Sequence, residues 1–264
     1  MLIIAERINS SRKPIAKAIA DGDRAFIQTE AKAQASAGAH YVDVNAGTFV
    51  GEEADKLKWI VEAVQEATEL PLSIDSPDPE VIKAVMPLLK KTPLINSITL
   101  EPSRFAGVLP LVLAGRTKVI ALCQAEQAMA ETADQKVELA GQLVEKLAGA
   151  GVPRDDIYID PLVYPLSTNP QSAAATLEAI AEIMKKFPGV HTVCGLTNDS
   201  YGLPARKLVN RAFLAAAIGR GLDAAIIDPT DNLLFAMLKA ATLVAGKDDY
   251  CMDYICAFRE GRVE

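Results

Sequence analysis

Eight short apolar runs, each followed by a longer amphipathic stretch, constrain this chain more than any other feature. The runs fall at 2–7, 41–45, 72–75, 94–98, 118–123, 157–160, 192–196 and 224–228. The stretches between them include 52–68, 78–89, 102–113, 134–148, 172–186, 205–218 and 232–244, each too long and too rich in alanine and leucine for a loop. Strand-then-helix order, repeated, is the pattern of a parallel sheet wrapped by helices. A chain of 264 residues allots about 33 to each unit, the size of a right-handed strand-helix-strand step. The total lies near the ~250 residues of a closed eight-fold barrel. The expectation is an α/β fold consisting of one (β/α)8 TIM barrel over residues 1–264, with no second domain and no linker.

Local punctuation agrees. Asp78-Pro79-Glu80 reads as an N-cap, a first-turn proline and a favourable negative charge, and Gly38, Gly151 and Gly221 fall just past helices, where a left-handed residue is wanted. The segment 21–23 is expected to divide the first helical connection in two. A composition of 50% hydrophobic but only 5% aromatic residues suits strands buried on both faces. The formal charge of −7, without any basic run, argues against a nucleic-acid partner. No apolar stretch approaches the ~20 residues of a membrane span, and the N-terminus lacks the pattern of a secretory signal. The chain therefore reads as soluble and cytoplasmic.

Cys123, Cys194, Cys251 and Cys256 show no Cys-x-x-Cys spacing and are expected to be reduced and structural, while His40 and His191 are the only histidines. A metal site, a disulfide or a histidine-based triad has little material. A glycine-rich phosphate cradle is missing too. What the chain does carry is polar residues where strands stop: Glu6 and Arg7, Asp43 and Asn45, Asp75, Asn96, Gln124, Asp160, Asn198 and Asp228. Any one of them has an ordinary structural explanation, since Asp160-Pro161 and Asp228-Pro229 also suit strand-terminating turns. Their joint occurrence around one rim points to a site at the carboxyl ends of the strands.

The motifs Glu6-Arg7-Ile8-Asn9, Asp43-Val44-Asn45-Ala46-Gly47, Ser73-Ile74-Asp75-Ser76, Ile95-Asn96-Ser97, Tyr158-Ile159-Asp160-Pro161-Leu162 and Gly195-Leu196-Thr197-Asn198 resemble, in order, those of the pterin-binding methyltetrahydrofolate:corrinoid methyltransferases. The resemblance spans nearly the whole chain and implies a pterin-binding barrel acting on tetrahydrofolate or 5-methyltetrahydrofolate. It implies that Asp160 accepts from pterin N3–H and the 2-amino group, that Asn96 pairs with the N1/N8 edge, and that Asp75 faces the N8 and N5 side. Asn198 then reaches N5, where the methyl group is carried. Arg206 either contacts the p-aminobenzoyl-glutamate tail or is a solvated helix-start arginine, and Glu6, Asp43, Asn45 and Gln124 are assigned to the tail or the rim. An Asp-x-His-x-x-Gly cobalamin signature is absent, so the corrinoid is expected on a partner protein. A homodimer is also expected.

Two rim segments depart from the pattern. Residues 123–128 lack the usual glycine-containing loop, and Tyr201-Gly202-Leu203 replaces a more polar stretch. They tilt the expected direction toward transfer from a methylated corrinoid to tetrahydrofolate, as in a demethylase system. A dihydropteroate synthase would want cations after Asp160 and after the seventh strand, where this chain has Leu162-Val163-Tyr164 and Asn198-Asp199-Ser200. A non-catalytic pterin-binding subunit would not need Asn198, so its presence favours an enzyme.

Overall fold

The computed structural model describes residues 1–126 and 129–263. Its eight strands, β1 (Leu2–Asn9), β2 (Tyr41–Asn45), β3 (Leu72–Asp75), β4 (Leu94–Ile98), β5 (Lys118–Leu122), β6 (Ile157–Asp160), β7 (His191–Gly195) and β8 (Ala224–Ile227), pair in sequence order, all parallel, and β8 closes onto β1. This is the expected (β/α)8 barrel. Helices α1 (Lys13–Asp21) and α2 (Arg24–Ser36) follow β1, and Gly22 separates them with φ 71°, a left-handed conformation that glycine takes without strain.

The other strands are followed by α3 (Glu53–Ala67), α4 (Pro79–Val85), α5 (Pro102–Gly115), α6 (Ala133–Gly149), α7 (Ser172–Lys186), α8 (Arg206–Gly219) and α9 (Asn232–Val244). Asp78 caps α4 by accepting from the Glu80 amide, as its sequence suggests. That helix is shorter than expected: it tightens into a 3-10 turn at Met86–Leu88, where Pro87 has no N–H for the helical ladder. A last helix, α10 (Met252–Arg259), was not foreseen, because its large apolar residues Met252, Ile255 and Phe258 are exposed and only Ala257, with Tyr254 beside it, packs inward. Among the described residues, no helix is long and apolar enough to cross a membrane.

Strand alternation sorts the side chains into two sets. Val42, Val44, Ile74, Ile95, Ile159 and Val119 face outward, under the helices. Ile4, Leu94, Ile120, Tyr158, Val193 and Ala224 fill the barrel interior. This inner layer plugs the barrel, and whatever stands two residues further along each strand faces the mouth. Both histidines lie at the opposite end: His40 Nδ1 accepts from the Ile3 amide, and His191 contacts Asp223 and Asp155. Cys123 and Cys194 are buried, whereas Cys251 and Cys256 are exposed on the C-terminal segment.

Candidate active site

Adding two to the interior positions gives Glu6 after Ile4, Asn96 after Leu94, Asp160 after Tyr158 and Gly195 after Val193. The period of two thus turns the strand-end polar residues inward as one layer. Register places three of them side by side, with Asn45 opposite Asp75 and Asp75 opposite Asn96. Asp43 lies one step lower, opposite Ser73.

Within this cluster the β2 residues hold those of β3 and β4. Asn45 donates from Nδ2 to Asp75 Oδ2 at 3.1 Å, and its Oδ1 accepts from Ser10 Oγ and from the Gly47 amide, at 3.1 and 3.0 Å. Asp43 Oδ1 accepts from Ser73 Oγ at 2.6 Å and from Asn96 Nδ2 at 3.2 Å, which leaves the Asn96 carbonyl oxygen to the mouth. Asp43 was assigned to the tail or rim from sequence, but at 3% exposure it sits beneath Asn96 instead. Burial raises the Asp43 carboxyl to about 6, and burial together with the neighbouring Asp43 raises Asp75 well above the ordinary carboxylate range. Arg104 of α5, which the sequence reading passed over, offsets part of this; it donates to the Ser97 carbonyl and to Ser97 Oγ, both at 3.1 Å, and its charge faces Asp75.

Asp160 has its own support. Its Oδ1 accepts from the Leu162 amide at 2.7 Å. Behind the loop lies Lys136, a fully buried lysine of α6 that donates to the carbonyls of Pro161 at 2.8 Å and Leu162 at 2.6 Å, over the face of Tyr164. Burial raises Asp160 to about 6, against the pull of the Leu162 amide and the Lys136 charge. The apolar period of α6 assigns position 136 to the buried face, so a lysine there was a legible signal of a buried polar contact.

Asn198 ends a 3-10 turn, Leu196–Asn198, directly after β7. Its side chain is exposed, and its amide nitrogen lies 3.4 Å from the point where a Gly195 Cβ would stand. The amide thus lies against the end of β7. Arg206 braces the turn by donating to the Thr197 carbonyl at 2.7 Å and to Ser200 Oγ at 3.1 Å, and it also packs over Tyr201. Beneath it is the buried Asp199, raised to about 6 by burial, and Asn210 donates to it at 3.1 Å when its amide nitrogen faces that carboxyl. On the same side Thr197 Oγ1 donates to Glu6 Oε2 at 3.2 Å.

The remaining candidates are spread around the rim. Gln124 donates to Glu101 at 3.0 Å, and the two residues that follow Glu126 lie outside the described residues. Arg7 and Asp228 are engaged together: Arg7 grips Glu30 with two nitrogens and reaches Asp228 Oδ2 at 2.9 Å. The site is thus rich in carboxyl and amide groups, and Arg7, Arg104 and Arg206 all have protein partners.

The model of the family described as pterin binding enzymes matches residues 6–228. The chain is also 41% identical to a methylcorrinoid:tetrahydrofolate methyltransferase of Eubacterium limosum, over 100% of this chain and 98% of that one. The chain belongs to the pterin-binding enzyme family. The pterin-binding enzyme described here is 32% identical to a methionine synthase of Mycobacterium tuberculosis over 86% of its own length, though it spans only 20% of that larger protein. Among solved structures, dihydropteroate synthase from Xanthomonas albilineans superposes with a TM-score of 0.68 over 94% of this chain and 93% of that one, at 18% identity. The corresponding enzyme of Coxiella burnetii gives 0.69 at 15% identity, over 93% of each chain. At that identity the likeness is one of fold.

Proposed function

We propose that this protein is a methyltransferase that moves a methyl group between N5 of tetrahydrofolate and the cobalt of a corrinoid carried by a partner protein, with methyl-corrinoid as the physiological donor. The observation that carries this reading is the inward layer of Asn45, Asp75, Asn96 and Asp160. A reduced pterin presents N3–H, a 2-amino group and N8–H as donors beside N1 and O4 as acceptors, and it needs carboxylates and amides opposite them. In this reading Asp160 takes N3–H and the 2-amino group, Asn96 meets the N1/N8 edge, and Asp75 the N8 and N5 side. Asp43 holds Asn96 from below, and Asn45 holds Asp75 from the side.

Methyl transfer between cobalt and nitrogen is a displacement in which alignment matters most. The donor is a co-substrate delivered to the barrel mouth by another protein. The carboxyl ends of the strands therefore serve both as pterin pocket and as docking face, with Arg206 and Gln124 on its rim. The full-length likeness to a protein named for transfer from methyl-corrinoid to tetrahydrofolate supports this direction. A dihydropteroate synthase is disfavoured, because a pyrophosphate leaving group calls for free cations and the arginines near this mouth are paired or bonded to backbone. Cytoplasmic placement and a homodimer complete the reading; Met237, Val244, Met252 and Phe258 of α9 and α10 are exposed apolar side chains that suit burial against a second copy.

Single-turnover mixing tests the proposal. Enzyme and tetrahydrofolate are combined with methylcobalamin, and enzyme and 5-methyltetrahydrofolate with cob(I)alamin, and the cobalt absorption is followed. Methyl transfer in at least one mixture is expected. Folate binding without transfer in either, including with corrinoid proteins co-purified from the native source, would favour a non-catalytic subunit.

A further inference from the structure

Methyl transfer to N5 poses a proton problem that the pterin-holding residues do not solve. When the N5 lone pair attacks the methyl carbon, the carbon–cobalt bond breaks and its electron pair stays on cobalt, which passes from Co(III) to Co(I). N5 then carries its original hydrogen, the new methyl group and a positive charge. Neutral 5-methyltetrahydrofolate forms only when that proton leaves. In the reverse direction a proton must arrive at N5 as the methyl departs, or the leaving group is a poor amide-like anion. Asn198, the side chain read onto N5, is an amide, which donates a hydrogen bond but does not exchange a proton near neutral pH.

Resting on the function proposed above, we propose that the Glu6 carboxyl is the proton exchanger for N5, taking the proton when methyl arrives from cobalt and returning it when methyl leaves. Glu6 lies where the β1–β2 register shifts between Ala5 and Ile8, and its contact with the turn after β7 places its carboxyl on the inner side of the strand. Its Oε2 accepts from Thr197 Oγ1 at 3.2 Å, and Thr197 occupies the same 3-10 turn as Asn198. That contact ties the carboxyl to the turn presenting the N5 amide. Among the described residues Thr197 is its one hydrogen-bond partner, so Oε1 is available to the mouth.

The charged groups facing Glu6 come from several elements: Asp228 after β8 and Asp43 on β2 disfavour its ionisation, while Arg12 before α1 and Arg206 at the start of α8 favour it. Burial is the largest influence, and the carboxyl is raised to about 7. At that value both protonation states are populated at neutral pH, which suits an acid and base that must work in either direction. Asp75 is the competing candidate. It too is read toward N5, but its carboxyl is already bonded to Asn45 and faces Arg104, which hold it as part of the pterin floor.

The experiment is a pH series of single-turnover rates at saturating folate for wild type, Glu6→Gln and Asp75→Asn. The reaction is run with methylcobalamin and tetrahydrofolate in one direction, and with cob(I)alamin and 5-methyltetrahydrofolate in the other. In wild type the rate of methyl arrival is expected to rise with pH through about 7, and the rate of methyl departure to fall through the same pH. In Glu6→Gln both rates drop by on the order of 10²-fold or more and both inflections near neutrality vanish, while folate affinity by calorimetry changes by less than about five-fold. Flat wild-type profiles overturn the role of Glu6 without reference to any variant. So do inflections that survive in Glu6→Gln, or that vanish in Asp75→Asn alone. A wild type that moves methyl in neither direction removes the underlying function as well, so the two failures are distinct.

Discussion

Lys136 and Asp160 are joined through a single residue: the lysine ammonium donates to the Leu162 carbonyl at 2.6 Å, and the Leu162 amide donates to Asp160 Oδ1 at 2.7 Å. Leu162 adopts φ 57°, a left-handed conformation that costs a non-glycine residue on the order of 1–3 kcal/mol. The buried lysine holds that conformation by bonding the carbonyls on either side of the Leu162 α-carbon. The result is a carboxylate with one oxygen fixed and one facing the mouth.

Replacing Lys136 with methionine keeps the apolar stem but leaves two carbonyls without their donor and removes the nearest cation from Asp160. Tetrahydrofolate binding is expected to weaken about ten- to a hundred-fold. The pH midpoint of binding should also move upward, because the Lys136 charge helps to hold the Asp160 proton off. Calorimetric titration across a pH series reads both. Loss of thermal stability with an unmoved midpoint would mean that Lys136 supports the loop without acting on Asp160.

In the unaltered protein, folate affinity should follow the ionisation of Asp160. A carboxylate that accepts from N3–H and the 2-amino group binds best when charged, so affinity is full above about pH 6 and falls about ten-fold for each pH unit below it. Asp160→Ala is expected to lose on the order of ten- to a hundred-fold at neutral pH and to flatten the acid limb. Wild-type affinity in Asp160→Ala, Asp75→Ala and Asn96→Ala alike would remove these residues from the pterin floor.

Much of this was legible in the sequence because parallel barrels write their geometry plainly. A strand buried on both faces is an aliphatic run, and the polar residue that breaks it at Asp75 or Asp160 marks the carboxyl end. What stayed hidden depends on distance in the chain. Nothing in Asp43-Val44-Asn45 says that one residue holds Asn96 while the other holds Asp75, because that needs the β2–β3–β4 register. Glu6 and Thr197 are 191 positions apart and meet only once β8 closes the barrel onto β1. Arg206 was readable as a helix-start cation, but its bond to the Thr197 carbonyl appears only when the turn after β7 is built. Lys136 was the missed opportunity, since a lysine on the buried stripe of α6 required an explanation.

The ligand-free barrel should be more stable in mild acid than in mild base. Glu6 is raised to about 7, and Asp43, Asp160 and Asp199 to about 6. A carboxyl that holds its proton more tightly when folded contributes stability that is complete below its unfolded value, near 4, and is lost as pH rises through its folded value. His191, raised by Asp223, has the same sign, and His40, lowered by burial, opposes it. The melting temperature without ligand is therefore expected to fall between about pH 5 and about pH 8. The rise at Asp160 from 3.8 to about 6 corresponds to about 3 kcal/mol, so Asp160→Asn should melt above wild type at the alkaline end and show a shallower slope. A melting temperature that climbs with pH over this range would contradict the burial of these carboxyls.

Asn198 should matter to the rate more than to binding. Its amide lies beside Gly195 at the end of β7, and its side chain is exposed. If it meets N5 there, its carbonyl oxygen accepts from N5–H, and that contact strengthens as positive charge develops on the nitrogen during methyl transfer. Removing a partner that stabilises developing charge costs on the order of 10²–10³ in rate. Asn198→Ala is thus expected to slow single-turnover transfer between folate and free corrinoid by that factor, with the folate dissociation constant shifting by less than about ten-fold. Arg206→Ala, which frees the turn from its brace at the Thr197 carbonyl, should give a smaller loss of the same kind. Wild-type transfer rates in Asn198→Ala would take this side chain out of the reaction and leave the turn after β7 with a structural role alone.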